Sequence, residues 1–473
     1  METLQRTANR GSIYTGPYQI DNSLKFDSGN SEYLYITRDT SGSDWNRLKW
    51  TASMWVKHMP TESSATAPKE RMFGASDTQS DFDIRFRGQP LGFRNNSDVD
   101  GVAELRTTAV YRDYSAWYHV VAVWDTANAT AGNRMRLYVN GEEVTDFSTD
   151  TQPSQNEKSI WGKKNDGTDG NVVHAIGCQV NASTGFTQGF NGYMAEIHWV
   201  EGEALAPTDF GEFDEDSAIW IPKQYTGSYG TNGFYLDFSN SGSLGADASG
   251  NGNNWTLNNI AAADQATDTP TNNFATINVL RQSSDRMPLI SEGATEFGNN
   301  VNAYRYAPAT MGVTSGKWYW EVKPTVDGNT LVSGAGIASS QTTLEFYGVT
   351  GNFVYHYDGD RYVNGTALSS YGTAWSTNDI IGFAYDADNW TLTCYVNNSS
   401  QGNLLASQTD LSAELFIPYV YSYGTHTYQI NFGGYTTMSN THTNTDENGY
   451  GSFVYAPPSG YYALCTKNLA EYG

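Results

Sequence analysis

Cysteine and long apolar runs are both scarce in this sequence, and each absence argues against a class of protein. The three cysteines, Cys178, Cys394 and Cys465, lie far apart and none has a CxxC partner. A disulfide framework or a zinc site is therefore not expected, and we predict three free thiols. No apolar run approaches the roughly 20 residues that span a bilayer, and the opening residues lack the apolar segment of a secretory signal. We expect no membrane insertion and no export signal.

Basic residues are also few. Lys and Arg number 27 against 51 Asp and Glu, which gives a net charge of −24 with the acids scattered along the chain. Such a chain repels phosphate backbones and anionic membranes, so we expect no nucleic-acid partner. Two interpretations of the acids stay open, namely solubility at high copy number and calcium binding. The seven histidines are dispersed, without an HxH or HExxH arrangement, so we expect no metal site built on them.

Stretches with a helical period are missing, whereas aromatic residues make up 14% of the chain and glycine occurs 47 times. That mixture is typical of half-buried strands joined by tight turns. A length of 473 residues exceeds what one core usually serves. The sequence therefore predicts an all-β fold of two antiparallel β-sandwiches.

The first part of the chain reads as short strands separated by polar turns. In residues 50–58, WTASMWVKH, the side chains of Trp50, Ala52, Met54 and Val56 alternate with more polar neighbours, as in a strand with one face toward a core. The pair Asn140-Gly141 separates RLYV from EEV and predicts a type I′ hairpin turn.

Residues 21–205 resemble the laminin-G/pentraxin-like group of concanavalin-type lectin folds. The resemblance is carried by Trp117, His119, Tyr138, Asn140, Gly141, Gly192 and Glu196. It implies a sandwich but not one function, because such domains bind sugars, bind proteins or accompany enzymes. We expect core or sheet-face positions for the tryptophans (Trp55, Trp117, Trp124 and Trp199) and framework roles for His119 and His198. Members often bind calcium through loop carboxylates, which makes Asp77, Asp81 and Asp83 candidate ligands in a plausible loop; otherwise we expect no cofactor.

Residues 206–275 are predicted to form an ordered linker with short strands, because they contain the Gly/Asn-rich turn sequence DASGNGNNW. The acidic segment EFDED (212–216) is a candidate active site. On a strand, Glu212, Asp214 and Asp216 would share a face, as the paired carboxylates of a glycosidase require. The segment follows the predicted sandwich rather than lying in its middle, so we expect no enzymatic activity.

Residues 276–436 resemble a SPRY domain. The matching residues are Gly316, Tyr319, Trp320, Glu321, Val322, Gly382, Asp386, Asn397, Pro418, Asn431, Phe432 and Gly433. The strand IIGFAYD is apolar or small at both alternating sets, which indicates burial on both faces. SPRY domains recognise partners through loops at one end of a sandwich, and the resemblance implies no activity. We expect residues 437–473 to pack back onto this sandwich.

An insert at 344–375 departs from the SPRY pattern and is rich in Tyr and Gly. Such residues make rigid, hydrogen-bonding contact surfaces. The binding residues predicted here are Tyr355, Tyr357, Asp358, Tyr362 and Trp375. The alternative, an edge hairpin whose aromatic rings belong to the core, fits the composition equally well.

The order of these segments, from a polar arm at 1–20 to the ending PPSGYYALCTKNL, resembles structural proteins of tailed bacteriophages. The resemblance implies a virion protein, foremost a tail fibre or receptor-binding component that contacts a host-surface glycan or protein. The alternative is a capsid decoration or head-fibre protein, and a polysaccharide-degrading tail enzyme is the third candidate. Residues 1–20 would attach to other virion proteins. A homotrimer would have to be held by the sandwiches or the arm, because no coiled coil is present.

Overall fold

A computed structural model describes residues 18–37, 44–59, 69–165, 172–181, 185–280, 288–327, 332–341, 350–368, 370–405 and 414–473. The chain divides into two compact units, which meet in sequence between Thr271 and Asn272. Each unit is built from β-sheets with antiparallel neighbours, apart from one short parallel pair in the second unit. The prediction of two antiparallel sandwiches is confirmed. No helix among the described residues is long and apolar enough to cross a membrane.

In the part of the chain that the structure describes, the first unit contains twenty strands. In chain order they are β1 (Ser23–Phe26), β2 (Tyr33–Thr37), β3 (Lys49–His58), β4 (Lys69–Ser76), β5 (Asp81–Arg87), β6 (Pro90–Ser97), β7 (Gly101–Val110), β8 (Tyr118–Asp125), β9 (Met135–Val139), β10 (Glu142–Glu143), β11 (Phe147–Thr151), β12 (Val173–Ile176), β13 (Gln179–Asn181), β14 (Gly185–Thr187), β15 (Gly192–Glu201), β16 (Gly211–Phe213), β17 (Trp220–Pro222), β18 (Phe234–Leu236), β19 (Thr256–Asn258) and β20 (Gln265–Ala266). Three short 3₁₀ helices lie at Ala131–Asn133, Pro207–Asp209 and Ala262–Asp264.

Two eight-stranded sheets form the sandwich. Sheet one has the order β10-β9-β8-β3-β15-β1-β20, with β18 also pairing β15, and sheet two has the order β11-β7-β6-β5-β4-β12-β2-β19. The alternation read from β3 is confirmed, because Trp50, Ala52, Met54 and Val56 all belong to the buried core between the sheets. Trp50 stacks edge-on against Phe82 of sheet two, with ring centroids 5.6 Å apart.

The segment predicted as a linker is part of this sandwich up to Thr271. Strands β18 and β20 join sheet one, and β19 joins sheet two beside β2. Phe234, Leu236 and Trp255 are buried in the same core as the earlier strands. Three-residue strands carry no readable period, which is why their membership of the sheets was not apparent from the sequence.

Part of the outer face of sheet one, the face turned away from the core, is covered by another segment of the chain. Phe210 packs on Val121, Val123 and Val200 in a separate buried cluster. Residues 203–230 therefore form a second layer over part of sheet one, and the β16–β17 hairpin belongs to that layer.

Among the described residues, the second unit contains fourteen strands and one α-helix. They are β21 (Leu289–Ser291), β22 (Glu296–Asn299), β23 (Tyr304–Pro308), β24 (Lys317–Asp327), β25 (Val332–Ser339), β26 (Asn352–His356), β27 (Arg361–Val363), β28 (Thr366–Leu368), β29 (Ile381–Asp386), β30 (Thr391–Val396), β31 (Ser399–Leu405), β32 (Phe416–Tyr423), β33 (His426–Asn431), β34 (Tyr462–Ala463) and α1 (Thr466–Tyr472), with a 3₁₀ helix at Glu292–Ala294.

Sheet three has the order β21-β22-β33-β24-β29-β30-β31, with β34 beside β24, and sheet four has the order β23-β32-β25-β26-β27-β28. Strand β29 is buried at all six positions, as its apolar sequence predicts, and it forms an antiparallel hairpin with β30. Cys394 on β30 is fully buried, and all three cysteines are free thiols.

The tail packs on sheet three. Phe453 lies edge-on to Tyr319 with ring centroids 5.2 Å apart, and β34 pairs in parallel with β24. The Glu321 carboxylate accepts hydrogen bonds from the amides of Val454 and Tyr455 at 2.9 and 2.8 Å. A buried carboxylate thus ties the tail to the central strand of the sheet.

Candidate functional site

An open groove of about 860 Å³ lies on the first unit, where the β9–β10 turn, the end of β7 and the β16–β17 hairpin meet. Aromatic side chains account for much of its lining, and carboxylates occupy one side. Its described lining residues include Trp55, Trp117, Glu142, Glu143, Asp146, Phe213 and Trp220. The volume falls in the range of small-ligand sites, roughly 300–1,000 Å³. We call this feature the aromatic groove.

The β16–β17 hairpin supplies one wall of the aromatic groove. Phe213 lies directly opposite Trp220 in the hairpin register, and their rings meet edge to face with centroids 4.9 Å apart. Trp220 is 7% exposed, whereas Phe213 is 49% exposed. Phe213 is the one aromatic side chain among the exposed large hydrophobic residues of the described chain. A solvent-exposed ring above a fixed one is a contact surface that needs no rearrangement.

Trp220 is held in place by close backbone approach on two sides. Asn140 and Gly141 both have positive φ, 49° and 83°, which confirms the turn predicted from this pair. A Cβ on Gly141 would lie 2.2 Å from the Trp220 ring, and a Cβ on Gly211 would lie 2.5 Å from it. The indole therefore fits between two glycine backbones, and only glycine allows this spacing.

A buried histidine anchors the same indole. The Trp220 indole N–H donates to Nδ1 of His119 at 2.9 Å. Nδ1 is thus the acceptor nitrogen, so Nε2 carries the proton and donates to the Ser53 hydroxyl at 2.8 Å. Burial, followed by the nearby His198, lowers the pKa of His119 to about 3. His119 is a neutral framework residue, as the sequence predicted.

The floor of the aromatic groove is fixed by a buried ion pair. Trp117 donates its indole N–H to Asp268 Oδ1 at 3.1 Å, and Lys57 contacts Asp268 Oδ2 at 2.7 Å. Trp55 stacks on His119 with centroids 4.9 Å apart. Trp55 and Trp117 are 5% and 9% exposed, in agreement with the expected core or sheet-face positions, and both also line the groove.

The carboxylate side of the aromatic groove consists of Glu142, Glu143 and Asp146, which are all exposed. Glu143 is hydrogen-bonded to the Tyr138 hydroxyl, which also accepts from Arg136 at 2.8 Å. No lysine or arginine is present among the described residues that line the groove. The charged groups of the described lining are therefore all acidic, and the nearby Arg136 reaches Glu143 through the Tyr138 hydroxyl.

The EFDED segment does not assemble paired carboxylates over this groove. Glu212 is exposed and 4.0 Å from the Lys223 ammonium. The Asp214 side chain instead accepts from the amides of Asp216 and Ser217, which closes the hairpin turn. Neither Glu212 nor Asp214 is among the described lining residues.

The loop placement expected for the candidate calcium ligands is wrong for Asp81 and Asp83, which lie in strand β5, and calcium binding itself stays a prediction. Asp83 is fully buried and contacts Arg71 at 3.1 Å as well as Arg85. The Asp77 carboxylate pairs with Lys163 at 2.8 Å. Cations of the protein already occupy these carboxylates, and no group of three metal-ligating side chains occurs among the described residues.

In the second unit the structure separates the five predicted binding residues into two sets. Tyr355 and Trp375 are buried, at 0% and 3% exposure, with ring centroids 6.2 Å apart. Their rings are interior, so the expectation that they contact a ligand is corrected: Tyr355 sits on the buried strand β26 and donates to the Thr373 carbonyl.

The other set lies at the surface. Tyr357 and Tyr362 are half-buried and Asp358 is exposed. The Asp358 carboxylate is 2.8 Å from Nδ1 of His356, and the Tyr362 ring packs 5.3 Å from the same imidazole. Part of the predicted insert, residues 344–349 and 369, falls outside the described residues. A binding role for the surface set stays a prediction.

Sequence reasoning missed Phe213 and Trp220 as site residues. Phe213 lies within the EFDED segment and Trp220 follows it four positions later. The signal that could have found them is their position at the two ends of a short turn, which a hairpin brings together.

Comparison with known proteins assigns both units. Residues 28–202 match the Concanavalin A-like lectin/glucanases superfamily (Laminin_G_3), and residues 317–435 match the SPRY domain. No curated protein matches the sequence. Among solved structures, the SPRY domain of human HERC1 is 19% identical with a TM-score of 0.29, covering 33% of this chain and 96% of that one. A heptameric SAP-like pentraxin from Limulus polyphemus is 13% identical with a TM-score of 0.26, covering 40% of this chain and 80% of that one. From the two family matches, the chain carries a concanavalin-like domain followed by a SPRY domain.

Proposed function

We propose that this chain is a non-enzymatic adhesion protein of a bacteriophage particle, a tail fibre or receptor-binding component, and that its aromatic groove contacts a glycan on the host surface. The observation that carries the binding role is the exposed Phe213 ring, fixed beside Trp220 at the mouth of an 860 Å³ groove. Both domains are of kinds that typically bind rather than catalyse.

The ring geometry supports a sugar as the bound group. A flat aromatic surface accepts the C–H face of a pyranose, and neighbouring carboxylates accept its hydroxyl hydrogen bonds. Because Trp220 is held by Gly141, Gly211 and His119, the site is preorganised. Binding would then cost little ordering entropy.

The virion setting comes from the order of segments in the sequence, and residues 1–17, which include most of the proposed attachment arm, lie outside the described residues. The second candidate, a capsid decoration or head-fibre protein, uses the same folds. The position of the chain in the density of the particle distinguishes the two candidates. A tail fibre lies on the tail, whereas a decoration or head-fibre protein lies on the capsid.

Adsorption of the purified chain to host cells tests the adhesion role. Phe213→Ala should reduce adsorption at least tenfold, since a buried aromatic contact is worth about 2 kcal/mol at an interface. Val99→Ala is the matched control, because Val99 is 82% exposed on the same unit and outside the groove lining. Equal adsorption by wild type and a folded Phe213→Ala variant would show that the aromatic groove does not contact the host surface.

The enzymatic alternative has its own test. If the chain degraded host polysaccharide, reducing ends would be released and Glu212→Gln would abolish the release. We expect no release from either form.

A further inference from the structure

The unequal distribution of charge around the aromatic groove bears on which ligand it accepts. Glu142, Glu143 and Asp146 line one side, and no described lining residue is basic. Several carboxylates elsewhere on this unit are buried or half-buried and paired with cations of the protein: Asp77 with Lys163, Asp81 with Arg94, and Asp268 with Lys57. The three acids of the groove are instead exposed to solvent and to any ligand that enters.

From this geometry we propose that the aromatic groove is selective for a cationic glycan, one whose sugar rings bear free amino groups. This inference rests on the proposed function and specifies its ligand class. Phe213, Glu142 and Asp146 line the same groove, so an amino sugar that fills it would meet both the aromatic ring and the carboxylates. The same exposed ring attracts a nearby cation through its negative π face.

A cationic occupant also fits the charge of the whole chain. At a net charge of −24, the protein repels acidic polymers at a distance and attracts basic ones, which speeds the approach of a cationic glycan at low salt. Neutral glycans gain nothing from this field. A basic peptide would share the charge but not the flat C–H face that fits Phe213, so we assign the groove to the glycan.

The two acids that best test this proposal are Glu142 and Asp146. Glu143 is already bonded to Tyr138, so changing it would disturb the β9–β10 pair as well as the charge. Glu142 is exposed on the two-residue strand β10, and Asp146 is exposed just before β11. Neutral amides at these positions keep the shape and remove the charge.

The experiment compares two matched probes on the full chain by calorimetric titration: a glucosamine tetramer and its fully N-acetylated counterpart. They share the sugar ring and differ in charge. We expect the glucosamine tetramer to bind about tenfold tighter or more at low salt, because each exposed charge contact contributes up to about 1 kcal/mol. This preference should disappear at high salt.

Variants separate the charge from the ring. Glu142→Gln with Asp146→Asn should make the affinities for the two tetramers equal, because only the charge that distinguishes between them is removed. Glu203→Gln is the control, since Glu203 is an exposed acid of the same unit outside the groove lining. Phe213→Ala should weaken binding of both probes.

Three other outcomes would each refute a specific claim. Equal binding of both tetramers, lost in Phe213→Ala, would refute the charge selectivity and leave the proposed function standing. If neither tetramer bound, both the charge selectivity and the glycan-binding role of the groove would be refuted for glucosamine-based sugars. Binding of an oligolysine peptide as tight as that of glucosamine, with the same response to the variants, would refute the assignment to a glycan.

Discussion

The indole N–H of Trp220 and the Nδ1 of His119, 2.9 Å apart, join the layer formed by residues 203–230 to the outer face of sheet one. Trp220 lies in the hairpin that walls the aromatic groove, and His119 lies on β8 within the sheet. One hydrogen bond therefore fixes both the tautomer of the histidine and the orientation of the groove wall.

His119 should stay neutral in the folded protein well below the pH at which histidine ordinarily titrates. Its folded pKa is about 3 against an ordinary value of 6.5, so between these values the unfolded chain binds the additional proton. Stability contributed by this site is present above pH 6.5 and is lost as the pH falls, at up to about 1.4 kcal/mol per pH unit. Long-range ¹H–¹⁵N NMR of the histidine rings checks this, with His119→Gln for assignment. Titration of His119 near pH 6.5, or a proton on Nδ1, would contradict it.

Gly141→Ala should destabilise the first unit more than Gly101→Ala. Both glycines have positive φ, 83° and 87°, so both variants pay the left-handed backbone cost of about 1–2 kcal/mol. Only at Gly141 would the new methyl meet the Trp220 ring, at 2.2 Å, whereas nothing lies within 4 Å at Gly101. Overpacking should add about 1–3 kcal/mol. Urea unfolding of the two variants measures the difference, and equal losses would show that Trp220 moves freely.

Glu321→Gln should loosen the tail from sheet three. The carboxylate accepts from Val454, Tyr455, Asn431 and Tyr319, and an amide cannot accept at both ends. At least one buried donor is left unpaired, at about 1–3 kcal/mol. Hydrogen exchange at the Val454 and Tyr455 amides should accelerate in the variant, while amides of β29 serve as the internal reference.

The same carboxyl group should make the second unit sensitive to pH. Burial outweighs the four donors and raises the pKa of Glu321 to about 7, from an ordinary value of 4.5. The folded state then binds the proton more tightly, so the contribution of this group is fully present below pH 4.5 and is lost as the pH rises through 7. The difference in unfolding free energy between wild type and Glu321→Gln, measured from pH 5 to pH 8, should therefore shrink with rising pH. A constant difference would contradict the raised pKa.

Trp375→Ala should destabilise the second unit rather than act on binding, because Trp375 is buried against Tyr355. A cost of about 3–5 kcal/mol is usual for removing a buried aromatic ring. Tyr357→Ala with Asp358→Asn alters the surface set instead, and adsorption to host cells by that folded double variant tests the predicted insert. A Trp375→Ala chain with an unchanged thermal midpoint would mean that the ring is not part of the core.

Strong local patterns were sufficient for much of the fold. Alternation identified the core face of β3, a fully apolar run identified β29, and Asn140-Gly141 identified a turn. Each of these signals is complete within about ten residues, so no distant contact is needed to interpret it.

The aromatic groove and the pattern of burial in the insert could not be predicted from the sequence, because both depend on contacts between residues that are far apart in the chain. Trp220 meets His119 across 101 positions of sequence, and no local pattern encodes such a pairing. Composition likewise does not predict that Trp375 is buried whereas Asp358 is exposed. Both lie in one Gly-punctuated segment, and burial depends on which strands the segment packs against.

The chain enters and leaves the first unit at adjacent points. Ile20 and Thr271 are joined by two hydrogen bonds at 3.2 and 2.8 Å, and β1 pairs directly with β20. A tensile load applied through the two ends of this unit therefore falls first on that short antiparallel pair, and its bonds open one after another as in a zipper. Asp268, which fixes Trp117 at the floor of the aromatic groove, lies between β20 and Thr271. Opening of this seam would therefore also release the floor of the groove, which couples tension on the unit to the state of its groove.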